Sequence, residues 1–151
     1  MNGSIHCELP PLKMEPPSPS QSYLVAAKGL FVGAEVLASN SRQTTMACAF
    51  LAAQALECAL KSYLIHVGKT ESELKVPAIR HNLEFLWTEA AGQGLNAQST
   101  PPHWCSTLNS AHDKPYYFRY PMGLNGFVFP GLLPMVPDLK SLLATVEEII
   151  S

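Results

Sequence analysis

Glu57 and Lys61 stand four residues apart in the run TTMACAFLAAQALECALKSYLIHV, and Arg80 and His81 open the later segment RHNLEFLWTEA. On a helix, a Glu four residues before a Lys places the two charges side by side, worth about 0.3–0.5 kcal/mol on an exposed face. Gln43, Gln54, Glu57 and Lys61 fall within about 60° of one another around the helical wheel, and nearly everything outside that strip is apolar or small. The strip is either a solvated helix edge or one wall of a groove shared with Arg80 and His81. In the second case an anion meets the free N–H groups of a helix starting near His81, with Arg80 as a bidentate fork and His81 as a donor. In the first, His81 caps its own helix and bonds a neighbouring loop.

A second candidate is KPYYFRY, residues 114–120, where Lys114 and Arg119 interleave with Tyr116, Tyr117, Phe118 and Tyr120. Such rings stack on single-stranded bases for about 1–3 kcal/mol each. The structural alternative folds the rings over the core, with Arg119 in an internal cation–π contact. His103, Cys105 and His112 invite a metal reading. On one helix, however, His103 and Cys105 are rotated by about 200° and leave opposite faces, so no metal site and no cofactor is expected. His66 has a ready role in bonding the last carbonyls of its helix. Hydrolase, kinase, metalloprotease and dehydrogenase fingerprints are missing from the sequence.

Five helices must position these residues. Pro10, Pro11, Pro16, Pro17 and Pro19 make residues 1–19 a flexible Pro-rich leader, and residues 20–151 a single domain. Ser20 is a plausible N-cap for a first helix to Ala38, with Leu24, Ala27, Phe31, Ala34 and Ala38 on one face. Gly29 and Gly33 within it each cost about 1 kcal/mol against Ala and hint at close approach of a neighbour. The central helix runs from Arg42 to Val67, about 39 Å, stopped by Gly68. A polar connection follows, with a helical turn near Glu71–Leu74 and a break at Pro77. The third helix begins near His81, buries Leu83, Leu86, Trp87 and Ala90, and ends at Gly92.

Thr100 and Pro101 form a cap and first-turn pair for a short helix to His112, with Trp104, Leu108 and Ala111 as its buried stripe. PYYFRYPMGLNGFVFPGLLP has too many Pro and Gly for a helix and reads as a long aromatic-rich loop, with a hairpin-like turn at Gly123–Gly126. Pro137 sits at the first position of a last helix carrying Leu139, Leu142, Leu143, Val146, Ile149 and Ile150. The fold class is therefore all-α: an up-and-down bundle of four to five helices with a long aromatic-rich loop before the last.

The core ALECALKSYL and the opening RHNLEFLW resemble the second and third helices of HEPN-type four-helix domains. The likeness rests on Glu57 and Lys61 in the second helix and on His81, Asn82 and Leu83 opening the third, about a third of the chain. It implies a bundle that often dimerises and a link to nucleotide or RNA biology, through ribonucleases, toxin–antitoxin components and noncatalytic binders. Ribonuclease members carry an Arg followed after four to six residues by His. After Arg42, Arg80 and Arg119 no His falls at that spacing, and the window beyond Arg119 holds Leu124, Asn125 and Gly126.

The 151 residues are 47% hydrophobic, enough for one core, and carry a formal charge of -2 with ten Lys plus Arg. No broad cationic face is available for a polyphosphate backbone, so any nucleic-acid contact is local. Cys7, Cys48, Cys58 and Cys105 show no C-x-x-C spacing and read as reduced, inert thiols. No signal-like segment and no uninterrupted apolar span is present, so a cytoplasmic protein without membrane contact is expected. The leading expectation is a noncatalytic HEPN-like binding or regulatory module, dimeric through an uncovered apolar face of the long helix. Its candidate ligand is a nucleotide, RNA or a partner protein, met by Glu57, Lys61, Arg80, His81, Tyr116, Tyr117 and Arg119. The alternatives are a HEPN-type ribonuclease or toxin–antitoxin component, with His81 or His112 as acid–base group beside Arg119, and a structural protein–protein interaction module.

Overall fold

A computed structural model describes residues 15–39 and 42–151, with Arg42 described through its backbone. The first fourteen residues of the expected leader, Cys7 among them, lie outside the described residues. Those present form an all-α bundle with no strand among the described residues: α1 (Pro19–Ala38), a 3-10 turn (Arg42–Thr44), α2 (Thr45–His66), α3 (Glu71–Leu74), α4 (Leu83–Gly92), α5 (His103–His112) and α6 (Leu132–Ile150).

The first helix starts two residues earlier than expected. Ser18, not Ser20, is the N-cap, in a capping box with Gln21, and Pro19 fills the first turn, where a missing N–H costs nothing. Ser20 is thereby freed for a tertiary role: its Oγ donates to Ser62 O (2.8 Å) and Ser62 Oγ donates to Ser20 O (2.7 Å). At the other end Cys48 Sγ donates to Ala34 O (3.3 Å), so α1 and α2 run antiparallel with both ends tied. Of the two α1 glycines only Gly33 marks close approach: a Cβ there would lie 3.0 Å from Leu51 Cδ1, whereas at Gly29 it would meet nothing within 4 Å.

The long helix occupies the centre, touched by α1, α4, α5 and α6. The 3-10 turn trims its expected start at Arg42 to Thr45. From Cys48 to Leu64 every residue is buried or half-buried, so the apolar face expected to remain uncovered for a dimer is covered within the chain. Thr45–His66 is long and apolar enough to cross a membrane by length and composition, but 72% of that window is buried inside the protein. The more exposed apolar residues include Val25, Val32 and Val36 on α1, Met122 and Val128 in the aromatic loop and Leu133 at the start of α6, while the long helix shows Met46 near its start.

Three other helix starts differ from the sequence reading. His81 precedes α4: Asn82 is the N-cap, its Oδ1 accepting from Phe85 N (3.0 Å). Pro102, not Thr100, holds the N-cap position of α5 and makes no side-chain cap bond. Leu133 has non-helical dihedrals, so the regular part of α6 begins at Pro134 and places Pro137 inside the helix. Pro137 still falls within the first four residues of that segment, whose N–H groups have no intrahelical acceptor, so its ring breaks no ladder. The segment 113–131 is the expected long aromatic loop, and the expected turn at 123–126 keeps only Gly123 at positive φ (75°).

Candidate functional site

Glu57 and Lys61 are one helical turn apart, but the bundle closes over them. Lys61 Nζ donates to Glu57 Oε1 at 2.7 Å, with 6% and 8% of the two side chains exposed. The solvated-edge reading thus fails for these two, while Gln43 is exposed and Gln54 half-buried. A buried ion pair is stable only when its remaining polar atoms are satisfied, and here two histidines satisfy them. His112 Nε2–H donates to Glu57 Oε2 at 2.6 Å and His81 Nδ1–H donates to the same oxygen at 3.0 Å. Burial alone would raise the Glu57 pKa. The hydrogen bonds from His112, Lys61 and His81 and the Lys61 charge outweigh it and lower the value from 4.5 to about 2. Glu57 is therefore a carboxylate, an acceptor only, and both histidines must be donors toward it.

That fixes the state of His81. Its Nε2 lies 3.3 Å from Arg119 Nη1, and a guanidinium can only donate. His81 is then the neutral tautomer with its proton on Nδ1, bridging the buried carboxylate to an exposed arginine. Arg119 forms this hydrogen bond in place of the cation–π contact the sequence suggested.

Neighbouring elements hold the geometry. Asn109 on α5 accepts from Leu83 N at the start of α4 (2.7 Å) and donates to Glu84 Oε2 (3.2 Å); Ser106 Oγ donates to Glu84 Oε1 (2.5 Å). This clamp seats α5 beside the turn that carries His81 and brings in His112, three residues beyond Asn109. Two of the first three N–H groups of α4 are occupied, that of Leu83 by Asn109 and that of Phe85 by Asn82. The proposed anion seat at that helix start is thus filled by the protein's own amides.

The aromatic loop closes the other side. Tyr116 has φ 66°, a left-handed conformation unusual for a side chain of its size and associated with functional sites. It turns the chain so that Arg119 N and Tyr120 N both donate to Tyr116 O (2.9 Å each). The Tyr116 ring stands edge-on to His81, with centroids 5.7 Å apart. Phe118 packs inward against Phe50 (5.7 Å) and His112 (6.4 Å).

Of the residues singled out from the sequence, Glu57, Lys61, His81, Tyr116 and Arg119 meet in this one cluster. Comparison with protein-family models, curated proteins and solved structures finds no match to this chain. Arg80 does not join: it is exposed, and its side chain makes no hydrogen bond or ion pair among the described residues. Tyr117 is half-buried with no hydrogen bond or ring contact there. His112, left out of the expected ligand set, is the closest partner of Glu57. Its signal was present, because it falls four residues after Leu108 and eight after Trp104, on the buried face of α5.

The other reactive types are elsewhere. Cys48 and Cys105 are buried and Cys58 half-buried, all free thiols. Burial raises the pKa of Cys58 to about 11 and of Cys105 to about 12, which suppresses thiolate chemistry.

Proposed function

We propose that this protein is a noncatalytic HEPN-like binding module that takes a phosphate-bearing ligand, a nucleotide or the end of an RNA, at Arg119. The observation that carries this reading is the relay from the buried Glu57 carboxylate through neutral His81 to the exposed Arg119. One Arg119 nitrogen rests on His81, so the rest of the guanidinium fork stays available to phosphate oxygens. Lys61 and Arg119 together outweigh the one carboxylate, so the site presents net positive charge in a chain whose total is -2. Tyr116, whose ring stands against His81, and the exposed Tyr120, next to Arg119 in the chain, supply ring faces for a base. Fluorescence titration with ATP and with a short single-stranded RNA is expected to give saturable binding weakened at least tenfold in Arg119→Ala. Equal affinity of parent and variant rejects the site.

A second reading, a ribonuclease, is favoured by the convergence of His81, His112 and Arg119 on one cluster, since a carboxylate-oriented imidazole beside an arginine suits acid–base chemistry at a phosphate. The missing Arg-x(4–6)-His spacing stands against it. Labelled RNA left intact by the parent protein, under conditions where it binds, separates binder from enzyme.

A further inference from the structure

We propose that Glu57, His81 and His112 form a site for a divalent ion of the zinc class, held through Glu57 Oε2, His81 Nδ1 and His112 Nε2. The inference goes beyond the phosphate reading and does not require it.

The three atoms come from three separate elements and lie within 4.8 Å of one another. Ligands about 2.0–2.2 Å from a tetrahedral ion stand roughly 3.3–3.5 Å apart. The present Oε2 contacts of 2.6 and 3.0 Å are shorter, so to admit an ion the Glu57 oxygen must withdraw from the two ring nitrogens by roughly 0.3–0.9 Å. Two imidazoles and one carboxylate suit zinc and its transition-metal neighbours, whereas magnesium and calcium favour oxygen alone. The side chains of His112 and Glu57 are 1% and 8% exposed and that of His81 18%. The site therefore opens on the His81 side, where a fourth ligand enters.

Two cations stand close, and each has a definite consequence. Lys61 neutralises Glu57 through Oε1, which leaves a donor set of no net charge, like the three-histidine sites that hold zinc. Arg119 opposes the ion directly. It needs the lone pair of His81 Nε2, but when Nδ1 gives its lone pair to a metal, the single imidazole proton moves to Nε2 and two donors face each other. Metal binding and the Arg119 contact therefore exclude one another. His112 frees Nε2 for the ion by carrying its proton on Nδ1.

The test uses the full chain, freed of metal with a chelator and dialysed, titrated with zinc chloride by calorimetry and with cobalt(II) followed by visible absorption. One ion per chain is expected, with affinity lowered at least tenfold in His81→Ala and in His112→Ala. Arg119→Gln is expected to bind zinc more tightly, several-fold, while losing the phosphate ligand, so the two readings move in opposite directions. A silent titration at a hundredfold excess of ion overturns the site, as does unchanged binding in His81→Ala, which places the ion on other groups. Where the buried His112→Ala fails to fold, the surface variant Arg119→Gln decides: zinc affinity equal to or below that of the parent overturns the proposal.

Discussion

Glu57→Gln removes one charge, keeps the shape of the side chain, and exposes the energetics of the whole cluster. Glu57 titrates near 2 in the folded protein against 4.5 when free, a difference worth about 3 kcal/mol at neutral pH. Because the folded value lies below the free one, this contribution is fully present above about pH 5. It declines as the pH falls through 4.5 and is gone near 2. In the variant the buried Lys61 ammonium loses its counter-charge and two imidazole donors share a weaker amide acceptor. Breaking a buried pair from one side costs about 3–5 kcal/mol, the same range reached independently. Urea unfolding at pH 7 should show that loss, and thermal unfolding a fall of about 6–12 °C for a chain of this length. The decisive comparison is the stability curve from pH 6 to pH 3. The parent should lose stability toward acid more steeply than the variant, by roughly 1.4 kcal/mol per pH unit at most. Glu57→Gln combined with Lys61→Met should recover part of the loss, since an apolar replacement leaves no orphaned charge. A variant within 1 kcal/mol of the parent, or with the same acid slope, refutes a buried carboxylate held by charge and hydrogen bonds.

Two further outcomes follow from the packing. Asn109→Ala removes the acceptor for Leu83 N and a donor to Glu84, and should lower stability by about 1–2 kcal/mol while loosening the seat of His112. Chemical denaturation measures the first effect, and a weaker response to zinc the second. If the protein pairs with a second copy, the face for it is the row Val25, Val32 and Val36, each more than half exposed on α1. Sedimentation should then show a dimer that Val32→Glu converts to monomer, and a monomer at every concentration removes that face from consideration.

The helices and their apolar stripes were legible because each reports local chemistry. Leu83, Leu86, Trp87 and Ala90 recur at the spacing of one helix face, and all four are buried. The aromatic loop was legible too, since its prolines and glycines forbid a regular ladder. Helix starts were less so: Ser20 was the expected cap, whereas Ser18 caps α1 and the Ser20 hydroxyl bonds Ser62 O across the helix pair. Glu57 and Lys61 could be placed together on one face, but sequence alone fixed neither burial nor partners. An i, i+4 pair looks the same in water and under a packed loop. What decided the matter was the clamp of Asn109 and Glu84, which sets α5 against the His81 turn, together with the reversal at Tyr116. These bring His112, 55 residues from Glu57 along the chain, onto its carboxylate, and Arg119, 62 residues away, onto the His81 that shares it. Arg80, adjacent to His81 in sequence, stays outside, because adjacency along a turn does not fix direction in space. Periodicity therefore determined the rods and their inner faces, while contacts among residues remote in sequence determined which polar groups meet.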